Sequence, residues 1–574
     1  MTRKPSPSWP FLLIDSRFEG QRIAGIDTEE AGLTLVRDQF KNMPSAVIVH
    51  EGRAEELWIK DSYFENLTAP AIVISEEFNA RSQTNLQNVI CNQVPVLLAF
   101  RQSGRKIPGE GSLYAVNEFC HGLQISGPGA EPELKTTSQI QPLDALPKPV
   151  PSDIPALPDS ATWVNLAALG AKGDGIADDT EVLKEAVAKY RTIYLPAGSY
   201  RVTDTITLHP GTALIGLNPI TTQILLSDST QGFEGEAPPK PLMVTPKGGS
   251  NIVSGIGLDT GNNCGAIAMK WMAGKNSLMN DVRFLGGHGT FKTDGTRVPV
   301  YNNNRTGDAD PARRWDSQYY SLWITDGGGG TFKDIWTPNS FAQAGIYLSE
   351  TKTEGRMYAI SVEHHVRNEV KLKNVSNWQF FAMQTEEERG EGPRALPVSI
   401  ENCSNLLFAN LYLYRVGSDF PFPCGVKITA SQDIVFRGVH AYSPGKTTFD
   451  STILDATNNR EVRSREIAWL TVPGKSADSP SIAASAVLED GAKVQKCAGG
   501  FDFIDGAAVD ANGNVYFVDG PVHRIYRWSP GKKVLALVRD NPIDPLLLAF
   551  DRAGNLLVVS RTGVVYAFDP NGHE

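Results

Sequence analysis

Two glutamates, Glu363 and Glu386, stand 23 residues apart in a stretch of the chain that reads as successive β-strands. The adjacent histidines His364 and His365 and the tryptophan Trp378 share this stretch. If 23 residues make one structural repeat, the two carboxyl groups stand one above the other. Two carboxyl groups that close cannot both ionise freely, so one keeps its proton to a higher pH. Such a pair can protonate the departing oxygen of a glycosidic bond.

Tryptophans near the pair offer flat apolar faces that suit sugar rings: Trp323, Trp336 and Trp378. The competing interpretation is that the acids form a solvated edge and the tryptophans belong to the core. Spacing alone leaves both interpretations open.

Short sequence repeats indicate how such a pair would be positioned. LTLVRDQFKN (33–42), LWIKDSYFEN (57–66) and NLQNVICNQ (85–93) align at steps of 24 and 27 residues. Each copy alternates apolar and polar residues and then turns, as a half-buried strand does. The same sequence pattern recurs at 277–287, 330–339, 369–378, 398–414 and 426–443. A period in the twenties predicts stacked coils. The leucine and asparagine grid of leucine-rich repeats is absent, so we expect an all-β chain built on a right-handed parallel β-helix.

Composition shifts divide the chain into five predicted segments. The segment 142–160 carries six prolines and reads as an extended linker. We expect an incomplete first β-helix in 1–141, a second β-helix in 161–475, a linker in 476–500 and two propeller-like blades in 501–574.

The second β-helix opens with a predicted capping helix over about 180–190. Asp178, Asp179 and Thr180 offer N-cap chemistry, and Leu183, Val187 and Tyr190 form its apolar stripe. The run GAKGDGIADDT before it could be mistaken for a calcium or phosphate loop, but a turn and cap is the favoured interpretation. This run, the helix and the strand YLPAGSY resemble the opening of the pectate-lyase-like β-helix superfamily. The resemblance implies the fold and leaves the reaction open, because lyases, epimerases, glucanases and tailspikes share it.

The stretch SVEHHVRNEVKLKNVSNWQFFAMQTEEE and the glycines of DGGGGTFKDIW (326–336) resemble glycoside hydrolase family 55, the β-1,3-glucanases, over roughly 10–470. That resemblance implies two tandem β-helices with a substrate groove between them, and inverting cleavage without a cofactor. It implies Glu386 as general acid and Glu363 as supporting carboxylate. Expected substrate-binding residues are Gln384, His364, Trp378, Arg389 and Trp336.

Two departures from that family qualify the expectation. Glu387, Glu388 and Arg389 follow Thr385–Glu386 where the family has a proline and a tyrosine, which changes the shape of the substrate subsite and adds a cation. The first β-helix also lacks its own GDG/DDT opening, and the residues that hold the attacking water would lie in that part. The chain is then expected to be a fragment or an enzyme with half its cleft absent.

The C-terminal sequence repeats with a period of 41 residues, so that Asp510, Gly513 and Asn514 recur as Asp551, Gly554 and Asn555. A period near 40 predicts propeller blades. The text resembles the gluconolactonase/SMP-30 family, which implies Asp505 as a ligand for a divalent cation, Ca²⁺ or Zn²⁺, in a complete propeller. Two blades cannot close a ring, so we expect a structural or sugar-facing appendage rather than a working lactonase.

The net charge and the hydropathy of the chain limit which classes of partner it can have. A net charge of −10 argues against nucleic acid or an anionic membrane as partner. No apolar run reaches the length of a membrane helix, and the first residues are not a convincing signal peptide. We expect a polysaccharide or oligosaccharide substrate and, from the family resemblance, an extracellular or periplasmic location. A pectate-lyase-like lyase or epimerase, with Arg367 or Arg389 as the basic group, and a non-catalytic glycan-binding β-helix remain the alternatives.

Overall fold

The computed structural model describes residues 10–28, 32–50, 56–74, 77–233, 238–288, 290, 296, 318–387, 395–416, 422–443, 449–474, 497–498, 501, 504–520, 523–540 and 543–569. The chain divides into two compact units, 1–479 and 480–574. Among the described residues, no helix combines the length and the apolar character that a membrane crossing requires.

The N-terminal part of the first unit consists of short strands that stack coil upon coil. They are β1 (Phe11–Ile14), β2 (Arg17–Glu19), β3 (Ala24–Thr28), β4 (Gly32–Val36), β5 (Gln39–Met43), β6 (Ser45–Val49), β7 (Glu56–Lys60), β8 (Tyr63–Leu67), β9 (Ile72–Ile74), β10 (Gln83–Asn92), β11 (Val96–Phe100), β12 (Lys106–Pro108), β13 (Leu113–Ile125) and β14 (Glu133–Pro142).

Strands β1, β4, β7 and β10 pair in parallel, in that order. Leu33 pairs with Leu57, and Trp58 pairs with Asn85, so the steps of 24 and 27 residues in the sequence are single coils. Inward-facing residues such as Leu35, Phe40 and Phe64 form a core that belongs to these N-terminal coils. Strands β13 and β14 end the stack in antiparallel pairing.

A longer stack follows the extended segment 143–159. Its strands are β15 (Val164–Asn165), β16 (Asp174–Asp178), β17 (Thr192–Leu195), β18 (Gly198–Val202), β19 (Ile206–Thr207), β20 (Ala213–Gly216), β21 (Thr222–Leu226), β22 (Lys240–Val244), β23 (Ile252–Asp259), β24 (Ala266–Trp271), β25 (Leu278–Leu285), β26 (Gln318–Ile324), β27 (Gly330–Thr337), β28 (Ala342–Thr351), β29 (Gly355–Glu363), β30 (Asn368–Glu387), β31 (Leu396–Glu401), β32 (Ser404–Arg415), β33 (Phe422–Thr429), β34 (Gln432–Tyr442), β35 (Phe449–Asp455), β36 (Arg460–Val462) and β37 (Glu466–Val472). With few helices beside these strands, the prediction of an all-β solenoid is confirmed.

Successive coils of the longer stack bend at residues in the left-handed backbone region, and one set of these residues shares a register position. The register aligns these residues into a single column across seven coils: Gly255, Asp281, Asp334, Ala359, Ala382, Asn410 and Gly438. Only glycine adopts this conformation without steric cost, and asparagine and aspartate tolerate it best of the others. The bend turns the end of each strand, which carries the residues of the candidate site, away from its beginning.

The capping helix α1 spans Thr180–Lys189, as the sequence predicts. Leu183, Ala186 and Val187 pack on the core of the longer stack. Of the predicted N-cap residues, Asp178 accepts the N–H of Thr180 at 3.0 Å, and Asp179 makes no cap bond. Asp179 instead accepts the N–H groups of Lys172 and Gly173, and so shapes the preceding turn. Two 3₁₀ helices, Ser160–Thr162 and Leu166–Leu169, lie before it.

The N-terminal coils pack against the longer stack through buried contacts. Tyr358, Phe381 and Ala409 form one apolar cluster with Val36 and Trp58. Polar contacts reinforce it: Asn410 donates to the carbonyl of Leu33 at 3.1 Å, Asn85 to the carbonyl of Ala468 at 3.1 Å, and Gln83 to Glu466 at 2.7 Å. The two stacks within this unit are therefore one packed body.

The second unit contains two small antiparallel sheets. One is formed by β38 (Ile504–Val509), β39 (Val515–Asp519), β40 (Arg524–Ser529) and β41 (Val534–Asp540), and the other by β42 (Pro545–Phe550), β43 (Leu556–Ser560) and β44 (Val565–Phe568). Each first turn is built alike, since Asp510 accepts from Asn514 and Asp551 accepts from Asn555. These turns explain the 41-residue repeat, while the relation to propeller blades stays a prediction.

Candidate active site

The two glutamates that the sequence singles out lie side by side. Glu363 ends β29, Glu386 is the penultimate residue of β30, and the parallel register pairs them directly. The prediction that 23 residues make one coil here is confirmed, which sets the two Cα atoms about 4.8 Å apart. Glu363 is buried, at 2% exposed, whereas Glu386 is half-buried. Glu386 is therefore the member of the pair that can reach a substrate.

Gln384 and Ser361 connect the two carboxyl groups. The Nε2 of Gln384 donates to Oε2 of Glu386 at 3.0 Å. The hydroxyl of Ser361 lies 3.1 Å from Oε1 of Gln384 and also contacts Oε1 of Glu363. Gln384 is one of the predicted substrate-binding residues, whereas nothing in the sequence selects Ser361.

The histidines beside Glu363 are buried and neutral. The Nε2 of His364 lies 3.6 Å from Glu363, and its ring centroid lies 4.4 Å from that of His288. Burial, with His288 nearby, lowers the pKa of His364 to about 3. A neutral His364 shapes the pocket around Glu363 without adding a positive charge at neutral pH.

His365 and Glu369 hold the turn that follows Glu363. The Nδ1 of His365 lies 2.5 Å from Glu369, and its Nε2 lies 2.8 Å from the hydroxyl of Thr337. Burial lowers the pKa of His365 well below its usual value. This pair belongs to the interior and fixes the path of the chain between β29 and β30.

A cavity of about 210 Å³ is lined by Ser361 and Gln384, the hydrogen-bond partners of the pair, while the two glutamates themselves are not among its lining residues. Trp336, Ser361 and Gln384 line it, and the register places them on three successive coils. The guanidinium of Arg283, one coil earlier, lies 3.8 Å from the centroid of the Trp336 ring and covers one of its faces. On the next coil the register neighbour of Trp336 is the small Ser361, which leaves space over the other face of the Trp336 ring. A sugar ring could stack in that space.

Two aspartates from the bend column add negative charge to this cavity. Asp281 and Asp334 both line it. Burial raises the pKa of Asp281, and the neighbouring Asp334 carboxylate raises it further. Burial lowers the pKa of Arg283, which Asp281 and Glu363 partly oppose. The acids outnumber the single guanidinium, so the cavity favours a neutral ligand over an anionic one.

Glu387 is a buried carboxyl group that departs from the family pattern. It is 1% exposed and pairs in register with Arg415, which is equally buried and lies over the Phe422 ring. Burial raises the pKa of Glu387 well above its usual value, although Arg415 opposes this shift. The pair fills the interior below Glu386 and does not face the cavity.

Some predicted site residues lie elsewhere. Trp378 is buried in the core of the longer stack, where it packs on Phe332 and Phe380, and it does not line the cavity next to Glu386, so its predicted role in substrate binding stays a prediction. Its side chain follows the inward alternation of β30 before the bend. Arg389 and Glu388 lie outside the described residues.

The predicted metal ligand Asp505 lies on β38, where its backbone pairs with Val518, and its side chain lies outside the description. Elsewhere in the described chain, Glu56, His440 and Glu466 bring their ligand atoms close together. The Nδ1 of His440 lies 3.1 Å from Glu56 and 2.8 Å from Glu466. Both distances are those of hydrogen bonds donated by a protonated His440 Nδ1. We therefore interpret this group as a cluster of ion pairs and not as a metal site.

Comparisons with known proteins agree with the coil geometry. Residues 163–385 match the family model described as rhamnogalacturonase A/epimerase, pectate lyase-like, which places a pectate-lyase-like β-helix in this stretch. The chain is also similar to a glucan 1,3-beta-glucosidase of Cochliobolus carbonum, at 31% identity over 96 residues. That alignment spans 16% of this chain and only 12% of the relative.

Two solved structures are similar in outline. SacteLam55A from Streptomyces sp. SirexAA-E aligns over 80% of this chain and 91% of its own, with a TM-score of 0.36 and 11% identity. The phiAB6 tailspike, solved with oligosaccharides of Acinetobacter baumannii surface polysaccharide, aligns over 70% and 73%, with a TM-score of 0.33 and 12% identity. At these TM-scores neither structure decides the reaction.

Proposed function

We propose that this chain is a glycoside hydrolase that acts on a polysaccharide, with Glu386 as its general acid. The observation that carries the proposal is the in-register pair Glu363–Glu386, tied together through Gln384 and Ser361, which line the adjacent cavity. Glu386 is the more exposed member, so it is the one that meets the glycosidic oxygen.

In the proposed reaction, protonated Glu386 gives its proton to the departing oxygen while the bond from that oxygen to the anomeric carbon breaks. Water adds to the anomeric carbon and loses a proton to a base. With Glu363 ionised one coil away and accepting from the Ser361 hydroxyl, a second negative charge on the pair is disfavoured, and Glu386 holds its proton to a higher pH. The Gln384 amide fixes the orientation of the Glu386 carboxyl group.

A neutral β-1,3-glucan is the proposed substrate. Support comes from the acidic cavity with its Trp336 face, from the resemblance to the β-1,3-glucanases, and from the glucan 1,3-beta-glucosidase relative. We propose inversion of configuration on the resemblance. Inverting enzymes separate the acid from the base by roughly 6.5–9.5 Å, so a group other than Glu363 activates the water. This substrate also implies an extracellular or periplasmic setting.

For the second unit we propose a structural or sugar-facing appendage. Its two sheets and matched Asp–Asn turns support a relation to propeller blades.

The test is a reducing-sugar assay on laminarin, cellulose, lichenan and polygalacturonate. Glu386→Gln lowers kcat by about 10²–10⁴, because it removes the proton donor and keeps the side-chain shape. The variant still binds laminarihexaose in calorimetry. Glu401→Gln, on the outer edge of the same stack, is the matched control and keeps full activity.

Each other outcome contradicts the proposal in a distinct way. Ultraviolet absorbance from the new C=C bond of an unsaturated product on polygalacturonate identifies a lyase instead. Binding of laminarihexaose without turnover, equal in the native protein and in Glu386→Gln, identifies a glycan-binding β-helix.

A further inference from the structure

A second cavity lies between the N-terminal coils and the longer stack, apart from the carboxylate pair. Its volume is about 450 Å³, within the range of small-ligand sites. It shares no lining residue with the cavity beside Glu386. Gln379 lines this cavity and Gln384 lines the other, and the bend at Ala382 separates the two on one strand.

Two hydrogen-bond donors at this cavity have no acceptor. The indoles of Trp58, from the N-terminal coils, and Trp378, from the longer stack, both line it. The Nε1 atom of each is buried and finds no hydrogen-bond partner among the described residues. Buried N–H groups almost always have a partner, and where the protein supplies none, a water or ligand oxygen does. Neither N–H group is open to water in this structure, but both rings border the cavity, so a small shift of either ring would bring its N–H to an oxygen bound there.

The cations that line the cavity are already neutralised. Each one lies against a carboxylate: Lys60 is 3.4 Å from Asp61, Arg356 is 3.2 Å from Asp153, and Arg437 contacts Glu118. Glu354, also on the wall, is exposed and adds negative charge. No excess positive charge is left for an anionic ligand, so the ligand that fits is neutral.

The remaining wall suits a polyhydroxylated ligand. Gln379, Asn377 and Asn405 present amide groups, which both donate and accept hydrogen bonds. Trp469 adds a half-buried aromatic ring beside them. Amides beside an aromatic surface match the alternating hydroxyl and C–H groups of a neutral sugar.

We propose that this cavity is a non-catalytic binding site for a neutral oligosaccharide. It uses surfaces of both stacks, so it would hold a glycan chain against the body of the protein while another part of the chain is cut. The binding claim stands on this cavity alone and does not require that Glu386 be catalytic.

The test measures binding of laminarihexaose, cellohexaose and a galacturonate hexamer to the full chain by calorimetry. All proteins carry Glu386→Gln, so that nothing is cleaved. We expect at least one neutral hexamer to bind with a dissociation constant that rises tenfold or more in Trp469→Ala and in Gln379→Ala. Trp58→Phe removes one indole N–H, keeps the aromatic ring and should weaken binding severalfold. Trp323→Phe, on a different face of the stack, is the matched control and leaves the affinity unchanged.

Thermal unfolding of each variant shows whether it folds, and Gln379→Ala is the decisive variant because its half-buried side chain is outside the core. Three results overturn the proposal: no binding of either neutral hexamer, affinities that stay within twofold in Gln379→Ala and Trp469→Ala, or a preference for the galacturonate hexamer that these variants abolish. The first two mean that the cavity holds water only. Loss of affinity in Trp336→Ala alone assigns the binding to the catalytic cavity and also counts against this site.

Discussion

Gln384 is the residue that links Glu386 to the rest of the candidate site. Its amide donates to Glu386 and its carbonyl oxygen lies near the Ser361 hydroxyl. The stacking of Glu363 on Glu386 could be predicted because both lie within regular coils of one length. Arg283 could not be linked to Trp336 in the same way, since 53 residues separate these register neighbours and the coil period is broken between them.

Replacing Gln384 with leucine tests this link. Leucine has nearly the same volume but no donor, so the Glu386 carboxyl group loses its fixed orientation. We expect kcat on laminarin to fall about tenfold or more, with a smaller change in KM, since misplacing a catalytic group slows the chemical step most. The measurement is steady-state kinetics on laminarin.

Ser376→Ala is the control for this prediction, because Ser376 lies on the same strand before the bend and lines neither cavity. It should leave kcat unchanged. Equal losses of kcat in both variants would show that the effect comes from the strand as a whole and not from contact with Glu386.

At the scale of the elements, the column of left-handed residues sets where each coil turns. Asn and Asp in such positions are visible in the sequence, but Ala359 and Ala382 give no signal, because alanine has no local preference for this conformation. The neighbouring coils impose it on them through the parallel register. The column therefore becomes visible only when the coils are aligned in space.

Two substitutions in the column should change stability in opposite directions. Ala359→Gly relieves a positive φ of 54° and should stabilise the first unit by about 0.5–1 kcal/mol, after the greater entropy of glycine in the unfolded chain is subtracted. Gly438→Ala should destabilise it by about 2 kcal/mol or more, because φ is 81° and the added Cβ would lie 2.4 Å from Oδ1 of Asn410.

Chemical denaturation followed by circular dichroism measures both changes. Asp433→Asn, an exposed position that also has positive φ, serves as control and should be neutral, since asparagine tolerates the conformation at least as well. If Gly438→Ala unfolds at the same denaturant concentration as the native protein, the bend column is not a determinant of stability.

At the scale of the whole molecule, the attachment of the N-terminal coils was beyond prediction from the sequence. Gln83 contacts Glu466 across 383 residues of chain, and Tyr412 contacts Glu56 across 356. Periodicity places each of these residues on a strand, but it carries no information about which faces of two separate stacks meet. The positions of both cavities beside the N-terminal coils depend on this attachment.

The ion cluster of Glu56, His440 and Glu466 makes that attachment sensitive to pH. Burial disfavours the charged imidazolium, and Arg81 opposes it too, but Glu56 and Glu466 outweigh both and raise the pKa of His440 to about 9. His440 is 5% exposed, so water screens these interactions little. In the unfolded chain its pKa is near 6.5. The stabilisation is therefore complete below pH 6.5 and is lost as the pH rises through 9.

We expect the first unit to lose on the order of 3 kcal/mol of stability between pH 6.5 and 9.5. His440→Met should be less stable than the native protein at pH 6, because Glu56 and Glu466 then face each other without a cation, and its stability should change little between pH 6.5 and 9.5. Denaturant titrations at pH 6, 7.5 and 9.5 measure both slopes. His209→Met, at the surface far from this cluster in sequence, should keep the native slope. A native slope that His440→Met also retains would place the pH sensitivity in some other group, and His440 would then attach the N-terminal coils by packing alone.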